Sequence, residues 1–221
     1  LYEMINRANT VLGTIDGIPF DDPTLKTQYK AETRFLRAFA YFQLVRIWGN
    51  VPLVDKVISP EEGIQIKQSS PADIYSFITS EMNAVKDSLP AQYTGANIGR
   101  VTEWAVKGVL AKVYLTMAGY PLKQTAMLDS AKVLLDDIIS HEGQYPHLTF
   151  EPDYANLFGY KNDNLHSILE VQYVSGGLGE GSSYPSQNIP PNLSLSLVNV
   201  KSLLFTSSVQ VSQDLIDSYD P

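Results

Sequence analysis

The sequence predicts a mostly α fold, built of antiparallel helix pairs with long irregular loops and one short strand. Three observations predict it. Apolar side chains recur at i, i+3, i+4 and i+7 along successive segments, the rhythm of amphipathic helices. Glycine or proline closes most of these segments. After His141 the helical period fades and Gly, Ser, Asn and Pro take over.

The first helix is expected over Leu1–Leu12, with Leu1, Met4, Ile5, Ala8 and Leu12 on one face and Gly13 and Gly17 beyond its end. Asp21, Asp22 and Pro23 open the second, since proline fits a first turn and acids suit the positive end of the helix dipole. It runs from Pro23 to Trp48, with Ala31, Phe35, Ala38, Phe39, Phe42 and Val45 inward. Gly49-Asn50-Val51-Pro52 stops it, because glycine accepts a left-handed cap and proline cannot continue the ladder. A loop or extended stretch leads to Ser70. The third helix, Ser70–Leu89, begins with a capping serine and Pro71 and buries Ile74, Phe77, Ile78, Met82, Val85 and Leu89. Pro90 ends it. The polar loop 91–100 precedes a fourth helix, Thr102–Ala118, closed by Gly119-Tyr120-Pro121. A fifth, Lys123–Ser140, turns Leu128, Ala131, Leu134, Leu135, Ile138 and Ile139 inward.

Beyond it, Pro146, Pro152 and Gly159 forbid a long helix, leaving room for one turn over Asp153–Phe158. Ser167–Val174 alternates as a strand does. Residues 175–208 lack helical period, and Asp214–Tyr219 reads as a last short turn. Two regions are therefore expected: a helical one over 1–174, and 175–221 as the loop-rich start of a ligand-binding region, truncated here.

Helix pairs raise the question of a repeat. The tetratricopeptide pattern places a Trp four residues before a Gly, as Trp104 and Gly108 stand. It also sets Ala, Phe and Ala at the spacing of Ala31, Phe35 and Ala38, which Ala131, Leu135 and Ile138 follow loosely. Small residues let backbones approach while larger ones fill the gap. Spacing alone leaves open an ordinary helical core, where small and large residues also alternate.

Composition excludes several classes. A 221-residue chain with 44% hydrophobic and 10% aromatic residues can bury a core, and 24 acids against 16 bases give a net charge of -8. Such a chain repels phosphate backbones, and no basic cluster argues for nucleic acid. There is no cysteine, so disulfides and thiolate metal sites are excluded. No segment reaches the ~20 apolar residues of a membrane helix. The chain opens within a helix-like run without a signal peptide, so the natural protein is expected to begin upstream.

Catalytic constellations are weak. His141 and His147 lie six apart across Pro146, unlike a helical metal pair, and His166 has no compelling acid beside it. Gly176-Gly177-Leu178-Gly179-Glu180-Gly181 is not followed by the helix of a phosphate-binding loop. Asp136-Asp137 and Glu61-Glu62 read as solvated carboxylates. Arg34 and Arg37 read as solvated or ion-paired. Trp48 has two readings, a ring stacked on a sugar or a plug closing the helix end against the core, and the plug is favoured. The long loop after the strand is where binding functions concentrate on a helical scaffold; Tyr184, Gln187 and Asn188 are its candidate ligand contacts. No catalytic residue, metal or cofactor is expected.

One stretch is specific. Ala31-Glu32-Thr33-Arg34-Phe35-Leu36-Arg37-Ala38, an aromatic pair, and the exit Gly49-Asn50-Val51-Pro52-Leu53 closely resemble the signature helix and turn of SusD/RagB proteins. Gly99-Arg100-Val101-Thr102, Tyr154-Ala155-Asn156-Leu157-Phe158, Leu169-Glu170-Val171-Gln172-Tyr173 and Asp214–Tyr219 are similar to further family segments, in the family's order. The resemblance covers about Tyr29–Tyr219 and matches the amino-terminal half of such proteins. It implies a nonenzymatic, lipid-anchored glycan- or nutrient-binding protein of the outer-membrane surface. That protein would deliver an oligosaccharide or other nutrient to a TonB-dependent, SusC-like transporter, through tetratricopeptide-like helices and loop-borne ligand contacts. The lipid-bearing cysteine is absent from this sequence. Two other readings remain: a soluble tetratricopeptide-type protein-interaction scaffold and, more weakly, a helical glycosidase.

Overall fold

The computed structural model describes residues 1–154 and 166–171. Its helices are α1 (Tyr2–Thr14), α2 (Pro23–Trp48), the short α3 (Pro60–Gln65), α4 (Pro71–Asn83), α5 (Glu103–Ala118) and α6 (Met127–Ser140). Two short strands, β1 (Val51–Pro52) and β2 (Gln68–Ser69), pair antiparallel on either side of α3. Leu1–Glu170 forms one compact unit, and Val171 is the single described residue of a second.

Local chemistry sets the helix starts. Asp22 accepts from Thr24 N at 2.8 Å ahead of Pro23. Ser70 and Thr102 each accept from the third residue on, at 3.2 Å. At α3 a reciprocal capping box joins Ser59 and Glu62, so Glu62 is a structural cap rather than a free carboxylate. Gly49, at φ 68°, ends α2 in a region that a side chain would resist.

The side-chain contacts fix the path. Asp16, Asn9 and Tyr2 of the first segment meet Lys30, Arg37 and Tyr41 in turn, so α1 runs antiparallel to α2. Glu81 meets Arg37, while Phe77 meets Tyr41 and Tyr75 meets Phe42, so α4 reverses again. Asn83 reaches Tyr114 and Asp87 reaches Lys107 on α5. Lys107 and Trp104 then meet Asp137 and His141 at the end of α6. The result is an up-down array of sequence neighbours, the arrangement expected of tetratricopeptide-like pairs. Ala31, Phe35 and Ala38 are all buried, as their spacing predicts. Gly108 is less demanding than the repeat pattern implies. A Cβ there would meet Ile168 Cγ2 at 3.5 Å and Ile138 Cδ1 at 3.9 Å, which is ordinary contact.

Three helix boundaries differ from the sequence reading. α1 runs on to Thr14, where a 3-10 turn, Ile15–Gly17, follows it. α4 ends at Asn83 rather than Leu89. Val85 N and Ser88 N donate to carbonyls three residues back, so the apolar stripe outlasts the α ladder and still buries Val85 and Leu89. α6 begins at Met127 rather than Lys123, because Lys123 has φ 53° and Gln124 N turns back to Met117 O. Its inward face is also narrower than expected: Ala131 and Ile138 are buried, while Leu128 and Ile139 are exposed. The strand expected over Ser167–Val174 is not formed at 167–171, where no described strand offers a partner edge; residues 172–174 lie outside the described residues. Only Asp153 and Tyr154 of the turn expected over 153–158 are described, and 175–221 lies wholly outside.

The segment Pro52–Lys56, leaving β1, has little secondary structure to satisfy its backbone. Helix side chains do that work instead. Tyr2 donates to Pro52 O at 2.8 Å, and Tyr41 both donates to Val54 O at 3.0 Å and accepts from Val54 N at 2.7 Å. Asn9 donates to Val54 O and Lys56 O at 3.0 Å each. Arg37 donates to Asp55 O at 2.8 Å. Buried backbone groups need partners, and here two helices, α1 and α2, supply them.

Candidate ligand-binding cleft

A cleft of about 510 Å³ opens where the end of α6 meets the segment that follows it. Its walls come from Ile138, Ile139 and Glu142, from residues 147–152, which begin in the 3-10 turn Pro146–Leu148, and from Tyr154, His166 and Ile168. Ile138, His147 and Leu148 are buried at its base. Phe150 and Tyr154 stand at its edge, 75% and 73% exposed.

Local geometry explains the turn. Gly143, at φ 77°, brings its N–H to Leu148 O at 3.3 Å, which folds the chain back onto α6. His166 then docks from the other side: its backbone N donates to Pro146 O at 3.2 Å and its Nδ1 donates to Thr149 O at 2.8 Å. Its Nε2 faces Glu151 Oε2 at 3.3 Å, and Glu151 Oε1 accepts from Asp153 N at 2.8 Å. His166 has φ 59°, a left-handed conformation that histidine visits more readily than bulkier residues. This is the close acid that the sequence does not display, since Glu151 lies fifteen residues away along the chain.

His147 belongs to an aromatic group behind the cleft. Its ring stacks on Tyr145 at 5.8 Å, Tyr145 lies 6.0 Å from Trp104, and Trp104 lies 4.7 Å from His141. Burial holds the His147 imidazole below the ordinary histidine value. The buried His147 Nε2 and Trp104 Nε1 have no hydrogen-bond partner among the described residues. Lys107 lies over the Trp104 ring at 4.6 Å and donates to Asp137 at 2.7 Å. Burial opposes that lysine's charge, but the Asp137 hydrogen bond and nearby carboxylates outweigh it and raise its pKa. Asp137 is therefore ion-paired rather than simply solvated, and Asp136 pairs with Lys132.

The arrangement suits recognition. Exposed ring edges and faces lie beside carboxylates, a histidine and a hydroxyl, the apolar-plus-polar lining of small-molecule sites. Among the described residues, no group of three or more His, Cys, Asp or Glu could hold a metal ion.

The sequence candidates fare unevenly. Trp48 is 61% exposed at the end of α2, so it does not plug that helix against the core. Gly49 ends the helix by backbone geometry, and neighbouring Ile47 is exposed too. Trp48 is not among the residues lining the cleft. Tyr184, Gln187 and Asn188 lie outside the described residues. The cleft residues Phe150, Glu151, Tyr154 and His166 were not singled out together by their spacing. The crowding of Tyr145, His147, Phe150 and Tyr154 within ten residues was the available signal.

Residues 1–115 match the model of a family described as SusD-like, starch-binding associating with the outer membrane. A SusD-like protein of Bacteroides ovatus is 31% identical over 229 residues, spanning 99% of this chain and 39% of its own length. A crystal structure of a SusD superfamily protein from Parabacteroides distasonis superposes with a TM-score of 0.73 at 29% identity, over 86% of this chain and 39% of that one. A crystal structure with xylogluco-oligosaccharide superposes with a TM-score of 0.65 at 30% identity, over 78% of this chain and 34% of that one. The chain thus spans about two fifths of the length of such relatives, 39% of the first.

Proposed function

The chain belongs to the SusD-like family, and on that premise we propose that it serves a glycan-binding protein of the outer-membrane surface which passes its ligand to a TonB-dependent, SusC-like transporter. The observation that carries the reading is the family match over residues 1–115. The oligosaccharide in a structure of 30% identity supports a sugar as the ligand class. Anchoring through lipid belongs to the same proposal.

The cleft supplies a physical route to sugar binding. Pyranose rings present apolar C–H faces that stack on exposed aromatics, and their hydroxyls pair with carboxylates and amide-like groups. Phe150 and Tyr154 offer the rings; Glu142, Glu151 and Thr149 offer the polar partners. Trp48 offers a further exposed ring on another part of the surface. Tyr184, Gln187 and Asn188 complete the proposed ligand contacts. Binding of this kind selects a sugar by shape and hydrogen bonds and leaves its glycosidic bonds intact.

The test is co-purification of the tagged, full-length protein from detergent-solubilised outer membranes of its host. Recovery of a large β-barrel transporter in stable proportion is expected. Clean recovery of the protein with no barrel partner would overturn the delivery role. Calorimetric titration with neutral oligosaccharides then tests the glycan reading separately.

A further inference from the structure

A second cleft, of about 740 Å³, lies between the end of α1, the first half of α2 and the segment Asp55–Val57. Its lining is unusual for a chain of net charge -8. Lys30, Arg34, Arg37 and Lys56 all contribute, against one carboxylate, Asp55.

The four cations are not equally free. Arg37 is buried and fully engaged: its Nε and Nη2 donate to Glu81 Oε2 at 3.2 and 2.5 Å, and its Nη1 donates to Asn9 Oδ1 and Asp55 O at 2.8 Å each. Lys30 is held by Asp16 at 2.9 and 3.0 Å. Arg34 must share Glu81, reaching its other oxygen from Nε at 3.4 Å, while its side chain stays 41% exposed. Lys56 is exposed and has no ion pair among the described residues. One buried carboxylate therefore serves two guanidiniums, and Lys56 lines the same cleft without an ion pair among the described residues.

Surplus positive charge beside a walled cleft is a binding site for an anion. A guanidinium fork matches a carboxylate in particular, and an ammonium adds a point charge that follows it. Resting on the glycan-binding reading above, we infer that this cleft is an acidic-sugar subsite, in which Arg34 and Lys56 hold the carboxylate of a uronic acid residue. Asn9 and Arg37 fix the backbone of Lys56 and Asp55, so they position the site rather than touch the sugar.

The experiment is calorimetric titration of the full-length protein with trigalacturonate and triglucuronate, and with the neutral trisaccharides of the same linkage. Wild type is expected to bind one of the uronates more tightly than its neutral counterpart, with the preference fading as salt rises from 0.1 to 1 M. Lys56→Gln should weaken uronate binding about threefold and Lys56→Glu about tenfold, with neutral binding unchanged. Arg34→Gln should act in the same direction; Lys56 is exposed, so its variants keep the fold. Neutral binding with no uronate preference, or equal losses for both ligands, would overturn the subsite and leave the glycan reading standing. Failure to bind any saccharide would overturn both.

Discussion

Arg37 and Glu81 meet at 2.5 Å across α2 and α4, each side chain only 7% exposed. The pair sits where three helices and one irregular segment converge, because the same guanidinium also reaches Asn9 on α1 and Asp55 O in the segment after β1. A buried ion pair is costly to desolvate and far costlier to break from one side. Its value here is that one planar group with several donors fixes the relative placement of helices and an irregular strap.

Glu81→Ala is therefore expected to destabilise the protein by roughly 3–5 kcal/mol, since it leaves the Arg37 charge buried without its partner. Urea unfolding of variant and wild type measures this. The double variant Glu81→Leu, Arg37→Met should recover part of the loss; a single-variant loss below about 1 kcal/mol would mean the pair is solvated in solution.

That network marks the limit of what the sequence makes legible. Helix starts could be read because a capping residue and its proline are neighbours in the chain, as at Asp22-Pro23 and Ser70-Pro71. The burial of Ala31, Phe35 and Ala38 followed from their period alone. Arg37 and Glu81 stand 44 residues apart, so their meeting depends on how α4 folds back, which no local pattern encodes. The same holds for the cleft, where His166 and Glu151 are joined by a reversal of the chain. Lys123 and the tightened turns after Asn83 are not legible for another reason: apolar period reports which side faces inward, not which hydrogen-bond ladder carries it.

Tyr41 predicts an alkaline dependence. Burial pushes its phenol up to about 12, against an ordinary tyrosine value of 10.0. Between those values the unfolded chain ionises and the folded one does not, so this contribution is complete below pH 10 and is lost as pH rises toward 12. Tyr41→Phe should remove that component of the pH–stability curve. It should also cost about 1–3 kcal/mol at neutral pH, because Val54 N loses its partner and Val54 O keeps only Asn9. An unchanged alkaline slope in the variant would refute the assignment.

His147 predicts the opposite limb. Its imidazole is held below the ordinary histidine value of 6.5 by burial, and among the described residues its Nε2 has no acceptor for the hydrogen that protonation would add. The unfolded chain then binds the proton first, so the contribution is full above pH 6.5 and falls away as the solution is acidified below it. Denaturant unfolding between pH 7.5 and 5.5 should show a loss that His147→Leu largely abolishes. Identical slopes in the two proteins would place the titrating group elsewhere.

The exposed aromatics separate stability from binding. Phe150 and Trp48 are 75% and 61% exposed, so replacing either with alanine should change folding stability by no more than about 0.5 kcal/mol. A ring that stacks on a sugar face contributes about 1 kcal/mol or more, so the same substitution should weaken neutral-oligosaccharide binding roughly fivefold. The two rings belong to different parts of the surface, and only Phe150 lines the cleft at the end of α6. A loss with Phe150→Ala alone assigns the sugar to that cleft; a loss with Trp48→Ala alone moves it to the end of α2. Calorimetry on both single variants and the double variant distinguishes these cases, because two rings gripping one oligosaccharide would give losses that combine. Full affinity in the double variant would show that neither ring touches the ligand.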